Sequence, residues 1–135
     1  MQRLLTLLGE PQRDVQAIHV VGTNGKSTTT RMIEALLLAD GITAGAYLSP
    51  HVERWSERIR VGGVECELER VLETVRAPAT TLRATQFEVL TAAALVAFRE
   101  GHATAAAVEA GLGGRLDATN VLERTLTVVL TNVGL

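Results

Sequence analysis

A short apolar run that breaks at a glycine and passes directly into Gly-Lys-Ser-Thr constrains this chain more than any other feature. Ala17-Ile18-His19-Val20-Val21 has the β-branched, apolar composition of a parallel-sheet strand and stops at Gly22. Met32, Ile33, Leu36 and Leu37 then recur at helical spacing until Gly41, a natural C-cap. Strand, glycine turn and helix therefore follow one another. The turn is Gly22, Thr23, Asn24, Gly25, Lys26, Ser27 and Thr28. Its glycines let successive N–H groups face an anion, the helix start adds positive potential, and Lys26 supplies a cation for the β- and γ-phosphates of a nucleotide. Ser27 stands where a phosphate loop carries its hydroxyl. The eight-residue pattern G-x-x-x-x-G-K-[ST] is met only in a shorter form, because Val20 occupies its first position. A dinucleotide fingerprint counted from Gly22 would need glycine at Asn24 and Ser27, so that reading fails. The bland alternative is an ordinary strand-to-helix turn with a solvated lysine.

The rest of the chain repeats the alternation. Residues 1–9 predict a short helix with Leu4, Leu5, Leu7 and Leu8 on one side. Residues 43–48 predict a second strand, ending in Ser49-Pro50-His51 and a polar loop through Arg58. Residues 59–66 alternate around Gly62-Gly63 as a small hairpin. Residues 68–75 read as a short helix, and 76–81, with Pro78, as a connection. Phe87, Leu90, Thr91, Ala94, Leu95 and Phe98 mark the clearest helix, which stops at Gly101. Residues 104–110 give a third parallel-type strand, closed by Gly111-Leu112-Gly113-Gly114, and residues 126–131 a last, buried one. This order predicts an α/β fold, a doubly wound, mostly parallel sheet whose ligands collect beyond the carboxyl ends of its strands. An α/β protein normally continues from such a strand into a loop and helix, so a truncated unit is expected.

Composition narrows the partners. The chain has 135 residues, 47% hydrophobic, and 13 Lys+Arg against 15 Asp+Glu give a net charge of -2. That size suits one domain with a real core. The charge balance offers no basic stripe, so no nucleic acid and no membrane surface is expected as partner, and small molecules are. Cys66 is the single cysteine. It excludes an internal disulfide framework and a multi-cysteine zinc site, and fits a reducing compartment. With no apolar run of about 18 residues and no signal-peptide start, a cytoplasmic protein is expected.

Four further segments carry chemistry. Ser49-Pro50-His51 offers a hydroxyl and an imidazole for metal or phosphate, or is a proline turn with His51 exposed; the sequence leaves both open. His19, inside an apolar strand, reads as a satisfied core histidine. Glu109 ends the apolar run 105–108, where a carboxylate is costly unless paired or metal-bound. It is therefore expected to serve Mg²⁺ beside ATP, with a strand-end salt bridge to Arg115 as the alternative. In the loop 111–120, Arg115 and Asp117 offer charged recognition of a polar substrate, unless the loop is merely flexible with Asp117 as a helix cap. Cys66, Trp55 and Tyr47 read as packing or surface residues.

Taken together, these motifs resemble the start of the folylpolyglutamate synthases, often bifunctional dihydrofolate synthases, in the Mur ligase superfamily. The resemblance runs through residues 18–26, Ser49-Pro50-His51, Glu57-Arg58-Ile59, residues 87–91 and above all residues 109–120. The T-N-G-K loop is shared with the cell-wall Mur ligases, whereas E-x-G-L-G-G-R-x-D-A-T-N is much more specific to the folate branch. Two positions depart: Ser27-Thr28 replaces the usual Gly-Ser, closer to the Mur version, and Trp55-Ser56 replaces Phe-Asn.

The resemblance implies a P-loop-containing Mur ligase central ATP-binding domain, with residues 1–135 an incomplete N-terminal portion and the C-terminal glutamate-ligase domain absent. It implies that Gly22 to Thr28 bind the ATP phosphates, that Lys26 and Glu109 serve catalysis, and that Ser49 and Glu109 are Mg²⁺ positions. Phe87, Asp117 and Ala118 would face the pterin. After residues like 131–135, members continue with Asp-His, a carbamylated lysine and a further domain. The implied reaction adds L-glutamate to dihydropteroate or folylpolyglutamate through an acyl phosphate, by a monomeric parent enzyme whose partners are ATP, dihydropteroate or folate, and L-glutamate. A UDP-muramyl peptide ligase and a non-catalytic nucleotide-binding fragment are the alternatives.

Overall fold

The computed structural model describes residues 1–113 and 115–134. Gly114, the last glycine of the loop after residue 110, and Leu135, the end of the terminal motif, lie outside the described residues. In chain order the elements are α1 (Gln2–Leu7), β1 (Gln16–Val21), α2 (Lys26–Ala39), β2 (Ala44–Tyr47), β3 (Ile59–Val61), β4 (Val64–Glu65), α3 (Leu68–Thr81), α4 (Gln86–Glu100), β5 (Ala105–Glu109) and β6 (Thr125–Leu130). Short 3-10 turns at Pro11–Arg13, Trp55–Arg58 and Ala118–Val121 join them. The expected doubly wound sheet is present, in the order β4-β3-β2-β5-β1-β6. Strands β2, β5, β1 and β6 are parallel, and the β3–β4 hairpin adds an antiparallel edge.

Side chains alternate along β5, and that alternation separates core from site. Ala106 and Val108 join the apolar cluster with Tyr47, Leu90 and Phe98 under α4, whereas Glu109 turns to the face where α2 begins. Helix α4 is buried continuously from Leu90 to Phe98, as a helix packed into the centre of a core must be. It starts at a capping box: Thr85 Oγ1 accepts from Glu88 N at 3.2 Å and the Glu88 carboxylate accepts from Thr85 N at 2.8 Å. No helix among the described residues is long and apolar enough to cross a membrane.

The structure corrects three readings and shows an unexpected polar face on α2. Helix α3 runs through Pro78 to Thr81, because Val71, Val75 and Ala79 form one buried stripe against α4 that outweighs a single lost backbone bond. In α2 the buried residues are Thr30 and Glu34, while Met32 and Leu36 are 61% and 69% exposed. Pairing makes this polar burial tolerable: Glu34 meets Arg60 of β3 at 2.9 Å and Arg31 at 3.2 Å, and Thr30 Oγ1 donates to Lys26 O at 2.8 Å. In α1 Leu4, Leu5 and Leu8 are buried but Leu7 is exposed. Finally, β6 is an edge strand paired with β1, and Leu126, Val128 and Leu130 are each more than half exposed, not buried. Helix α2 centres on β5 and β2, which leaves that edge bare.

Small residues let the layers approach. A Cβ on Gly45 of β2 would lie 2.5 Å from the ring of fully buried Phe98. Gly45→Ala should therefore lower stability by about 2 kcal/mol in urea unfolding. A loss under about 0.5 kcal/mol would show that the ring is free to move aside.

Candidate functional site

A cleft of about 1390 Å³ opens where β1, β2 and β5 end, and residues 23–28, Ser49, Glu109, Phe87, Asp117 and Ala118 all line it. Of the sequence-predicted site residues, Gly22 and His51 do not line this cleft, and the others do. Gly22 lies just behind, at φ +137°, where a Cβ would stand 2.1 Å from Thr131 Oγ1. Only glycine fits between the ends of β1 and β6. Gly25 is required for its angle instead, because it caps α2 at φ +79° with open space around it.

Two loop amides are already engaged. Thr23 N donates to Asn132 O at 3.0 Å and Asn24 N to Asn132 Oδ1 at 2.8 Å, while Gly134 N donates to Thr23 Oγ1 at 2.9 Å. The expectation that the amides along this turn face an anion is thereby narrowed. The first intrahelical bond of α2 runs from Thr29 N to Gly25 O, so the donors left for an anion are those that open the helix. Asn132 escaped sequence reasoning; its one signal is a polar residue just past a strand that pairs in parallel with β1.

Glu109 is the centre of the site. It is 1% exposed, takes the Ser27 hydroxyl at 2.8 and 3.0 Å on its two oxygens, and accepts Ser49 N at 3.0 Å. Burial pushes its carboxyl up from the usual range, against the Ser49 amide, the Ser27 hydroxyl and the cations Lys26 and Arg58. Among the described residues no ion pair joins it to Arg115. Lys26 reaches across to donate its Nζ to Gly111 O at 2.9 Å. No group of three or more His, Cys, Asp or Glu suited to a metal exists among the described residues. A single carboxylate with neighbouring serine oxygens is nonetheless a hard-oxygen set that fits Mg²⁺, which keeps waters and takes phosphate oxygens as its other ligands.

The two readings of Ser49-Pro50-His51 separate. Ser49 lines the cleft, whereas His51 turns into the loop, its Nδ1 accepting Arg58 Nε at 2.9 Å and its ring 4.2 Å from that of Trp55. Arg58 also covers the Trp55 ring. His19 is buried and satisfied, its Nε2 2.7 Å from Thr119 Oγ1. Burial pushes the Cys66 thiol up to about 11, which leaves it a poor nucleophile.

Asp117 holds a loop. Its Oδ2 accepts Gly111 N at 2.9 Å and Gly113 N at 3.3 Å, and its Oδ1 accepts both the amide and the hydroxyl of Thr119. Burial alone would raise this carboxyl, but those four bonds hold it below the usual aspartate range. It is also the N-cap of the Ala118–Val121 turn, so the helix-cap reading holds. Phe87 packs beneath the same loop, where a Cβ on Gly111 would come 2.7 Å from its ring, and stacks on Tyr47 at 6.1 Å. Arg115 stands exposed on the rim.

A glycine turn opening a helix at the end of a central parallel strand, with a lysine and a buried carboxylate beside it, makes this an α/β domain of P-loop type. No family model matches the sequence. The dihydrofolate synthase/folylpolyglutamate synthase of Bacillus subtilis (strain 168) is 38% identical over 144 residues, covering 99% of this chain and 33% of that protein. The folylpolyglutamate synthase of Mycobacterium tuberculosis, solved with ADP, matches at TM-score 0.92 and 34% identity over 99% of this chain and 32% of its own. A bifunctional folylpolyglutamate synthase/dihydrofolate synthase solved with Mn, AMPPNP and L-glutamate matches at TM-score 0.90 and 34% identity, over 99% and 34%. The chain is thus a homologue of the folylpolyglutamate/dihydrofolate synthases over nearly all its residues, and spans about a third of the length of the relatives it matches.

Asp117→Asn would turn an NH₂ group toward amides that need an acceptor. Because the folded carboxyl sits below its ordinary value, its contribution is present above that value and lost as pH falls through the folded one. The variant should be less stable by about 1 kcal/mol near neutral pH, a charge-assisted figure reduced for solvent screening, and the difference should shrink in urea titrations as pH falls below the ordinary aspartate range. A gap that does not narrow on acidification would contradict the role of the ionised carboxylate.

Proposed function

We propose that this chain is the ATP-binding portion of a ligase that joins L-glutamate to the carboxylate of dihydropteroate or of a folylpolyglutamate. The observation that carries the reading is Glu109, buried and held between Ser27 and Ser49, beside a lysine at the mouth of a phosphate-type loop. The relatives solved with ADP, or with Mn, AMPPNP and L-glutamate, support ATP and a divalent metal as its companions. On this reading residues 1–135 are one part of a longer, monomeric, cytoplasmic enzyme whose glutamate-ligase domain lies outside this chain.

The residues divide the work. The amides that open α2 take phosphate oxygens, and Lys26, with two further protons beyond the one given to Gly111 O, neutralises the β- and γ-phosphates. Ser27, Ser49 and Glu109 would hold Mg²⁺, which when bound screens the charge that develops on the transferred phosphoryl group. A substrate carboxylate oxygen then attacks the γ-phosphorus, the bond to the ADP oxygen breaks, and an acyl phosphate forms. The glutamate amine attacks its carbonyl carbon, phosphate leaves with the bonding pair, and an amide results. No covalent enzyme nucleophile is needed. Phe87 and Ala118 offer an apolar wall for the pterin, and Asp117 shapes that wall through the loop it holds.

A Mur-type reading has one observation in its favour, Lys26-Ser27-Thr28 in place of Lys-Gly-Ser. Two assays separate the outcomes. Calorimetry with Mg·ATP on this chain should give binding that Lys26→Ala weakens at least about tenfold, or 1.4 kcal/mol; equal affinities would remove the lysine from the site. The full-length protein should release ADP with dihydropteroate and glutamate. Release only with a UDP-muramyl peptide would overturn the folate assignment.

A further inference from the structure

Thr119 is fully buried, and its hydroxyl lies between two partners, His19 Nε2 at 2.7 Å and Asp117 Oδ1. A hydroxyl has one proton to give. The Asp117 carboxylate receives a donor at each of its other contacts, from the amides of Gly111, Gly113 and Thr119, so it acts as an acceptor only. The Thr119 proton therefore goes to Asp117, and the lone pair left facing His19 requires a donor there. That requirement fixes the tautomer: His19 carries its proton on Nε2. The direction of the whole chain follows. His19 donates to Thr119, Thr119 donates to Asp117, Asp117 accepts the amides of Gly111 and Gly113, and Gly111 O accepts Lys26 Nζ at 2.9 Å.

His19 does not line the cleft. It sits in β1 opposite Val108 of β5 and Val128 of β6, in the interior of the sheet. An aliphatic residue would pack there at lower desolvation cost, and burial already disfavours the charged imidazole. We propose that His19 is a positioning residue: through its Nε2–H to Thr119 it orients Asp117 and so sets the loop at residues 111–113 that receives Lys26. Its consequence for ligand binding rests on the nucleotide reading above. The relay itself does not.

Long-range ¹⁵N–¹H spectra of the intact chain test the relay without any variant or ligand. The expected signature is a His19 ring protonated at Nε2; a ring whose Nε2 is unprotonated overturns the proposal. The variants test its effect. The Nε2 of glutamine can take the place of the imidazole Nε2, whereas leucine offers no donor. Amide exchange at Gly111 and Gly113 should accelerate about tenfold in His19→Leu and stay within about threefold of wild type in His19→Gln. Binding of Mg·ADP should follow the same order, about tenfold weaker for His19→Leu and near wild type for His19→Gln. Equal behaviour of the two variants overturns the role. Should His19→Leu fail to fold, Thr119→Val against Thr119→Ser reads the same donor dependence one step along. If wild type shows the Nε2 proton and the two variants show the exchange contrast, yet wild type binds no Mg·ADP, the nucleotide reading falls and the relay stands.

Discussion

A carboxylate at the inner end of a central strand has to be met by donors, and the way Glu109 is met dictates the geometry around it. At 1% exposure an unpartnered carboxylate would cost several kcal/mol or give up its charge. Its partners come from two other elements, the Ser27 hydroxyl from the first turn of α2 and the Ser49 amide from the end of β2. Helix start, strand end and loop are thereby fixed to one point. Lys26, the neighbour of Ser27, then reaches the carbonyl of Gly111, two residues beyond Glu109. The same bonds that make the burial tolerable assemble the cleft.

The scaffold behind that point is built to be thin. Ala105, Ala106 and Ala107 in β5 and Ala44, Gly45 and Ala46 in β2 keep the centre of the sheet low, so that α4 presses its Phe98 ring directly on Gly45. On the other face α2 is tied to β3 by the Glu34–Arg60 pair, itself nearly out of solvent on the glutamate side. A helix held at its first turn by Ser27 and at its middle by Glu34 has little freedom to tilt. Its opening amides therefore keep a fixed direction toward the cleft, which is what anion binding without reorganisation requires.

Much of this was legible in the sequence because it is local. The glycine turn between strand and helix, the Gly62-Gly63 hairpin, the helix before Gly101 and the odd carboxylate at the end of an alanine-rich strand are each written in a few adjacent residues. What escaped depends on partners distant in the chain. The buried face of α2 is polar because Arg60 lies 26 residues past Glu34, and periodicity counts only apolar residues. Pro78 ends a helix by local rule, yet the stripe through Val75 and Ala79 carries α3 past it. The apolar alternation of β6 reads as buried, but burial depends on what covers a strand. Asp117 could be read as a cap or as a recognition group, and only the folded loop brings the amides of Gly111, Gly113 and Thr119 together on its carboxylate. Asn132, 108 residues from Asn24, left no local trace of its contact with the loop.

On the proposed function, Ser27, Ser49 and Glu109 form the metal side of a nucleotide phosphate site. Mn²⁺ added with ADP to ¹⁵N-labelled chain tests it most directly, because the paramagnetic ion broadens amide signals according to their distance from it. In the presence of ADP, sub-stoichiometric Mn²⁺ is expected to erase the signals of Lys26, Ser27, Ser49 and Glu109 first, while those of the β3–β4 hairpin persist. Broadening that is absent, that ignores ADP, or that centres elsewhere on the surface would contradict it.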